Sequence, residues 1–242
     1  MKNQYFGDED DFKKYGILRE LSKVMSDGMS VCWMLTSDDG TGEGSDLSYL
    51  EKTWEWRNCD PDLFDYLNRC ISNGKPRNVG LLKEFIRRPP IKFFDRPLPD
   101  DLNGRVEYFE DFKKNAGNGQ FVFFDPDIGL APVSVIKGNA GSSRYLFWDE
   151  LSSFYFNMKQ SILVYQHFPR VNRNQFVCDA VSKLMLDTRA PSVYTLRTNR
   201  VVFFLLPQSR HAELIETACR SIARKWNRHI EVWKHHQPTR LM

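Results

Sequence analysis

The stretch from residue 120 to 130, Q-F-V-F-F-D-P-D-I-G-L, constrains the fold more than any other part of the chain. Its four consecutive apolar residues, Phe121–Phe124, end abruptly in Asp125, Pro126 and Asp127. A short run that is apolar at every position predicts a strand buried on both faces, which is typical of the centre of a covered α/β sheet. Pro126 has no amide hydrogen for the ladder, so we expect the strand to end there. The two carboxylates then lie where ligands of open α/β sheets bind.

Short strand patterns and helical patterns alternate along most of the chain. The predicted strands cover residues 30–35, 91–94, 105–109, 120–124, 161–165, 192–196 and 200–206. This alternation predicts an α/β fold with a Rossmann-like, mostly parallel, seven-stranded sheet, and the two adjacent strands at the end add an antiparallel member.

We expect one α/β domain over residues 1–242, which is enough chain for a sizeable core. Within it we predict an amino-terminal arm and helix (1–27), a helical insertion after the first strand (47–88) and a loosely packed carboxyl-terminal tail (229–242).

Composition indicates the cellular compartment and the kinds of partner to expect. Five cysteines without a CxxC pair indicate reduced thiols in a cytoplasmic protein, not a disulfide framework or a zinc site. The acidic start has no apolar segment typical of a signal peptide, and no run approaches the ~20 apolar residues of a membrane span. The net charge of +3 permits RNA or DNA as a partner without requiring one. The oligomeric state stays open.

Four motifs suggest a family when they are taken in order. The chain opens with Y-F-G-D-E-D-D-F-K-K-Y, Asp95 ends the run I-K-F-F-D, Glu110 lies in R-V-E-Y-F-E-D-F, and residues 125–128 read D-P-D-I. This order resembles the class I methyltransferase fold and, more narrowly, the RlmJ type of ribosomal RNA adenine N6-methyltransferase, with the three-cysteine-motif partner proteins as more distant relatives. The chain is also similar to a set of bacterial proteins that share N-Q-Y-F-G-D, D-P-D-N-G and W-D-E.

The resemblance implies S-adenosylmethionine as cofactor and a nucleic-acid base, with adenine favoured, as the methyl acceptor. Asp95 and Glu110 would then hold the ribose and adenine of the cofactor. Asp38, with Gly40 and Gly42 in the acidic loop T-S-D-D-G-T-G-E-G, would hold its methionine end. Glycines let a backbone approach a ligand closely, although such a loop is equally typical of a solvated turn.

The catalytic tetrapeptide of that family, D-P-P-Y, corresponds to Asp125, Pro126, Asp127 and Ile128 here. A carboxylate at a strand end can accept a hydrogen bond from a neutral amine and orient its lone pair. The chain departs from the family at Ile128, which replaces the aromatic residue that stacks on the base, and at Thr36, which stands where the family has an acid.

Further candidates come from the arm and from the segment after the fifth strand. In the resembling enzymes the arm closes over the substrate, which makes Tyr5 and Lys14 candidate substrate-binding residues. His167 and Arg170 follow residues 161–165 and are expected at the same sheet edge as Asp125, where a histidine can act as a base and an arginine can bind phosphate. A hydrogen-bonded surface histidine is the more common explanation of His167, and the role of Lys14 stays open.

Two other functions fit the same residues. Asp125 and Asp127 are oxygen ligands that Mg²⁺ prefers, so a metal-dependent nuclease or phosphodiesterase is one alternative. A nucleic-acid or protein binding module that kept the fold without activity is the other. Basic residues of the last helical segment are candidates for contact with nucleic acid: Arg220, Arg224, Lys225 and Arg228.

Overall fold

The computed structural model describes residues 1–26, 28–38, 40, 44, 46–74, 76–86, 91–117 and 119–237. Its strands are β1 Met29–Cys32, β2 Ile91–Phe94, β3 Phe121–Phe124, β4 Gly129–Leu130, β5 Tyr145–Leu146, β6 Ser161–His167, β7 Ser192–Arg197, β8 Val201–Leu206 and β9 Glu231–His236. Its α-helices are α1 Glu9–Ser22, α2 Thr53–Trp56, α3 Pro61–Ser72, α4 Leu82–Phe85, α5 Leu102–Ala116, α6 Trp148–Phe156, α7 Arg173–Thr188 and α8 Ala212–Lys225.

The main sheet has seven strands in the order β2-β1-β3-β6-β8-β7-β9, and β4 pairs with β5 separately. Strands β2, β1, β3 and β6 run parallel, with Met29 opposite Phe121 and Phe121 opposite Ser161. Strand β8 is antiparallel to both β6 and β7. The prediction of a Rossmann-like, mixed α/β fold with a seven-stranded sheet is confirmed at this level.

Strand β3 is buried on both faces, as its sequence predicts. Phe121 and Phe123 belong to an apolar cluster under α1, α3 and α8. Val122 and Phe124 point the other way, into a cluster under α5, α6 and α7. Side chains of a strand alternate between faces, so an apolar residue at every position means a cover on each side.

The predicted strand at residues 105–109 is wrong, because these residues lie inside α5. Asp101 caps this helix, and its Oδ1 accepts a hydrogen bond from the Gly104 amide at 2.8 Å. Tyr108, Phe112 and Ala116 are buried and are spaced four residues apart, which places them on one face of a helix. The five-residue window resembled a strand, but the buried positions repeat with a helical period over the longer segment.

The expectation of a loosely packed tail does not hold for residues 231–236, which form a strand, and residues 238–242 of the predicted tail lie outside the described residues. Strand β9 pairs with β7 from Ser192 opposite His236 to Arg197 opposite Glu231. Without β9, one side of β7 would expose its backbone donors and acceptors, and pairing satisfies them.

Within the segment predicted as a helical insertion (47–88), the structure has α2, α3 and α4 with short 3-10 turns, and residues 75, 87 and 88 lie outside the described residues. None of the helices in the described ranges is long and apolar enough to cross a membrane.

Candidate active site

Strands β1, β3 and β6 end at the same edge of the sheet, and the amino-terminal arm lies across it. The amine of Met1 donates to the carbonyl oxygen of Asp125 at 3.2 Å and to that of Met34 at 3.3 Å. The Thr36 amide donates back to the Met1 carbonyl at 2.9 Å. Arg77, from the helical insertion, holds the arm by hydrogen bonds to its backbone carbonyls. The arm therefore occupies the carboxyl ends of β1 and β3.

A buried ion cluster lies behind the arm and centres on Lys14. Its Nζ is 2.8 Å from Asp125 Oδ2 and 2.8 Å from Asp11 Oδ1. Tyr15 donates to the other oxygen of Asp11 at 2.5 Å, and the Lys14 ammonium lies 4.7 Å from the centre of the Tyr165 ring. Residues 11, 14 and 15 share one face of α1, so the helix itself brings this acid, this base and this phenol together.

Burial and charge shift the pKa values of this cluster in opposite directions. Burial lowers the pKa of Lys14, but the carboxylates of Asp11 and Asp125 outweigh it and leave that pKa raised. Burial raises the pKa of Asp125, and the ammonium of Lys14 opposes this shift. Lys14 is therefore charged at neutral pH.

Asp127 lies beside this cluster and is paired with a different cation. Arg144 Nε donates to Asp127 Oδ2 at 2.8 Å, and Lys2 Nζ is 3.9 Å from the same oxygen. The other oxygens, Asp125 Oδ1 and Asp127 Oδ1, are buried and accept no hydrogen bond from any described residue. Buried acceptors of this kind are rare because they cost free energy, which makes them candidates for contact with a ligand.

An open cleft of about 660 Å³ lies in front of these carboxylates. The structure brings five predicted residues to it: Tyr5, Lys14, Asp127, His167 and Arg170. Asp125 lies just behind them, bonded to Lys14, and Pro126 follows the end of β3 as predicted. Burial lowers the pKa of His167, whose Nε2 is 3.1 Å from the Tyr165 hydroxyl.

Sequence reasoning missed five residues that line this cleft: Asp10, Asp46, Arg144, Tyr165 and Arg200. Asp8 and Asp11 also line it and belong to the opening motif, where Asp11 had a local signal because it precedes Lys14 by one helical turn. Arg144 and Arg200 had none, because they reach the cleft from distant loops to pair with Asp127 and Asp46.

Two of the predicted cofactor residues, Asp95 and Asp38, each have a separate partner. Asp95 follows β2 as predicted and forms an ion pair with Lys83 at 2.7 Å. Asp38 accepts a hydrogen bond from the Gln4 amide at 3.3 Å.

Glu110 does not end a strand, since it lies in α5 and pairs with Lys113 at 2.7 Å. The expectation that Glu110 contacts the cofactor depends on its ending the predicted third strand, and its position in α5 removes that argument.

Gly40 has a φ of +67°, a conformation that glycine adopts without strain. Gly42 lies outside the described residues.

A divalent metal fits this edge poorly. Within the described part of the chain, no three or more His, Cys, Asp or Glu side chains are grouped as metal ligands. Lys14 and Arg144 already neutralise Asp125 and Asp127, so Mg²⁺ would have to compete with two bound cations.

Comparison with known proteins does not assign the chain to a family. No family model matches the chain, and no curated protein matches it. A crystal structure of a protein from Legionella pneumophila str. Philadelphia 1, of the family DUF519, resembles it with a TM-score of 0.46 and 13% sequence identity. The alignment covers 96% of this chain and 98% of that one. A likeness at this level says nothing about activity.

Proposed function

We propose that the protein is an S-adenosylmethionine-dependent methyltransferase that modifies an amine of a nucleic-acid base, with adenine as the expected base. The observation that carries this proposal is the pair of buried oxygens, Asp125 Oδ1 and Asp127 Oδ1, which accept no hydrogen bond from the described residues. They follow a central strand, and Asp127 lines an open cleft. An exocyclic amine has two N–H donors and would satisfy such acceptors.

The fold supports the proposal in outline. The class I methyltransferase resemblance implies a mostly parallel sheet with an antiparallel strand near the carboxyl terminus. Strands β2, β1, β3 and β6 are parallel, and β8 is the antiparallel strand between β6 and β7. Ligands of such sheets bind at the carboxyl edge, which is where Asp125 and the cleft lie.

Asp95 fits the ribose of the cofactor, because it ends β2 and is partly exposed, and an acid after the second strand is the usual partner of ribose hydroxyls. When bound, S-adenosylmethionine supplies an electrophilic methyl group.

Asp125 and Asp127 accept hydrogen bonds from the target amine and orient its lone pair. Lys14 fixes Asp125 in position. His167, neutral at pH 7 because burial lowers its pKa, receives the proton that the nitrogen loses.

Isothermal titration with S-adenosylmethionine and S-adenosylhomocysteine, in EDTA, tests the cofactor. We expect micromolar binding that Asp95→Asn removes. Asp111→Asn is the matched control, because Asp111 is an exposed, ion-paired carboxylate outside the proposed site. Absence of binding at millimolar ligand overturns the proposal.

Transfer of a labelled methyl group to RNA and DNA oligonucleotides tests the chemistry. We expect Asp125→Asn to lower the rate at least about 100-fold, since it weakens an acceptor aimed at developing positive charge. Circular dichroism and cofactor affinity should stay unchanged in that variant. Equal rates for the variant and the wild type would remove Asp125 from the mechanism.

The second candidate is a nucleic-acid binding protein that has this fold without the activity. The arm favours it, because Met1 lies at the carboxyl ends of β1 and β3, near the expected cofactor position. The separate partners of Asp38 and Asp95 favour it as well. In this case RNA should bind equally to the wild type and to Asp125→Asn, with no S-adenosylmethionine bound by either.

A further inference from the structure

A second cleft, of about 510 Å³, lies beside the first. The turn between β7 and β8 separates them, since Arg200 lines the first cleft while Arg197 and Asn199 line the second. Helix α1 also contributes to both, through Asp10 on one side and Glu9 on the other. The two clefts are therefore neighbours along the same edge of the molecule.

The second cleft carries more positive charge than its own carboxylates neutralise. Its cations are Lys13, Arg173, Arg197 and Arg228, and its carboxylates are Glu9 and Glu231. Lys13 and Glu9 neutralise each other at 2.6 Å. No ion pair joins any of the three arginines to a carboxylate within the described ranges.

Two of these arginines are held in position by neutral partners. Arg173 donates to the Asn199 carbonyl at 2.9 Å, and Arg197 donates to Asn174 Oδ1 at 2.9 Å. Their guanidinium carbons lie 4.9 Å and 5.7 Å from the centre of the Phe168 ring. The side chains are thus ordered while their charge stays available, which suits bidentate contact with phosphate.

We propose that the second cleft binds phosphates of the nucleic-acid strand whose target base enters the first cleft. This inference rests on the proposed function, because it assigns a path to the same substrate. A strand that delivers a base to the first cleft continues past its edge, and the unneutralised arginines line the neighbouring cleft.

Aromatic groups at the cleft favour nucleic acid over an acidic peptide. The rings of Trp56 and His229 stack with centroids 3.7 Å apart and planes 16° apart, and both residues line the cleft. His229 is partly exposed, so an unpaired base can reach a rigid ring pair there.

Two of the four cations expected to form a basic face on the last helix are paired with carboxylates. Arg220 pairs with Glu216, and Lys225 pairs with Glu20 at 2.7 Å. Arg228 lies beyond α8 and lines the second cleft. This difference between neighbouring cations provides a control with the same number of charges.

The test is fluorescence anisotropy with a labelled single-stranded RNA of about 12 nucleotides, without cofactor, over a series of KCl concentrations. We expect Arg173→Gln with Arg228→Gln to weaken binding about tenfold. The slope of log affinity against log salt should fall by roughly 1.4, because each phosphate contact of a single strand contributes about 0.7. The control, Arg220→Gln with Lys225→Gln, should keep the wild-type affinity and slope, because both cations are already paired with carboxylates.

The outcomes separate this inference from the proposed function. An unchanged affinity and slope in the Arg173/Arg228 variant overturns the inference even if the enzyme methylates RNA. Arginine-dependent RNA binding in a protein that never transfers a methyl group supports the inference and overturns the proposed function. If poly-glutamate of equal charge displaces the RNA as well as unlabelled RNA does, the cleft binds acidic peptides and the inference is wrong.

Discussion

The two ends of the central strands both bury polar side chains, but they do so in different ways. At the amino ends, Ser161 Oγ and His211 Nδ1 lie 2.8 Å apart, the Gln208 amide donates to Ser161 Oγ at 2.8 Å, and His211 Nε2 contacts Gln120. At the carboxyl ends, Lys14 is buried against carboxylates, and Asp125 Oδ1 has no donor in the described part of the chain.

The comparison teaches how a structural polar cluster differs from a candidate site in the same sheet. The network of Ser161, His211 and Gln120 is neutral and its members satisfy one another, which stabilises the fold. At this end the buried atoms without a hydrogen bond from the described residues, Ser30 Oγ and Gln160 Oε1, are uncharged. A buried charge cluster with an unmatched acceptor weakens the fold, and such groups are concentrated at functional sites. The carboxyl end of the sheet is therefore where a ligand should change the stability most.

The largest expected effect is that of Lys14→Met. Loss of the ammonium leaves Asp11 and Asp125 buried without their shared cation, so we expect the free energy of unfolding to fall by about 3–5 kcal/mol. Urea denaturation measures it. The double variant Lys14→Met with Asp125→Asn should lose less than the sum of the two single losses, by more than about 0.5 kcal/mol. Additive losses would mean that the two side chains do not interact.

An intermediate effect is expected for Ser161→Ala at the opposite end. The substitution removes the hydroxyl that contacts His211 Nδ1 and accepts from the Gln208 amide, which should lower the free energy of unfolding by about 1–3 kcal/mol. Affinity for the proposed ligands, RNA and S-adenosylmethionine, should not change. A variant with full stability and weaker ligand binding would mean that the amino ends of the strands, and not the carboxyl ends, bind the ligand.

The smallest effect concerns pH. Burial lowers the pKa of His167 below its usual value of 6.5, against the attraction of Asp10. As the pH falls below 6.5, His167 binds a proton in the unfolded chain while it stays neutral in the folded protein. The free energy of unfolding therefore falls with the pH. His167→Gln should flatten this decline, which urea midpoints at pH 7.5 and at about pH 5.5 would reveal. Identical pH profiles would show that His167 titrates normally.

Sequence reasoning did well where a pattern is local and complete. Residues 121–124 are apolar throughout, so they identify a central strand, and Pro126 marks its end. It failed at residues 105–109, where a five-residue window suggested a strand and the buried positions of α5 repeat with a helical period. It failed at β9 because an edge strand is defined by the backbone groups it satisfies on β7.

The sequence by itself determined that two carboxylates follow a buried strand, because strand burial and the effect of proline are properties of adjacent residues. Only the tertiary structure decided what those carboxylates meet. Lys14 and Asp125 are 111 positions apart, and Arg144 reaches Asp127 from a separate loop. Pairing of distant charges depends on how helices and loops pack around the sheet, and no local pattern records it.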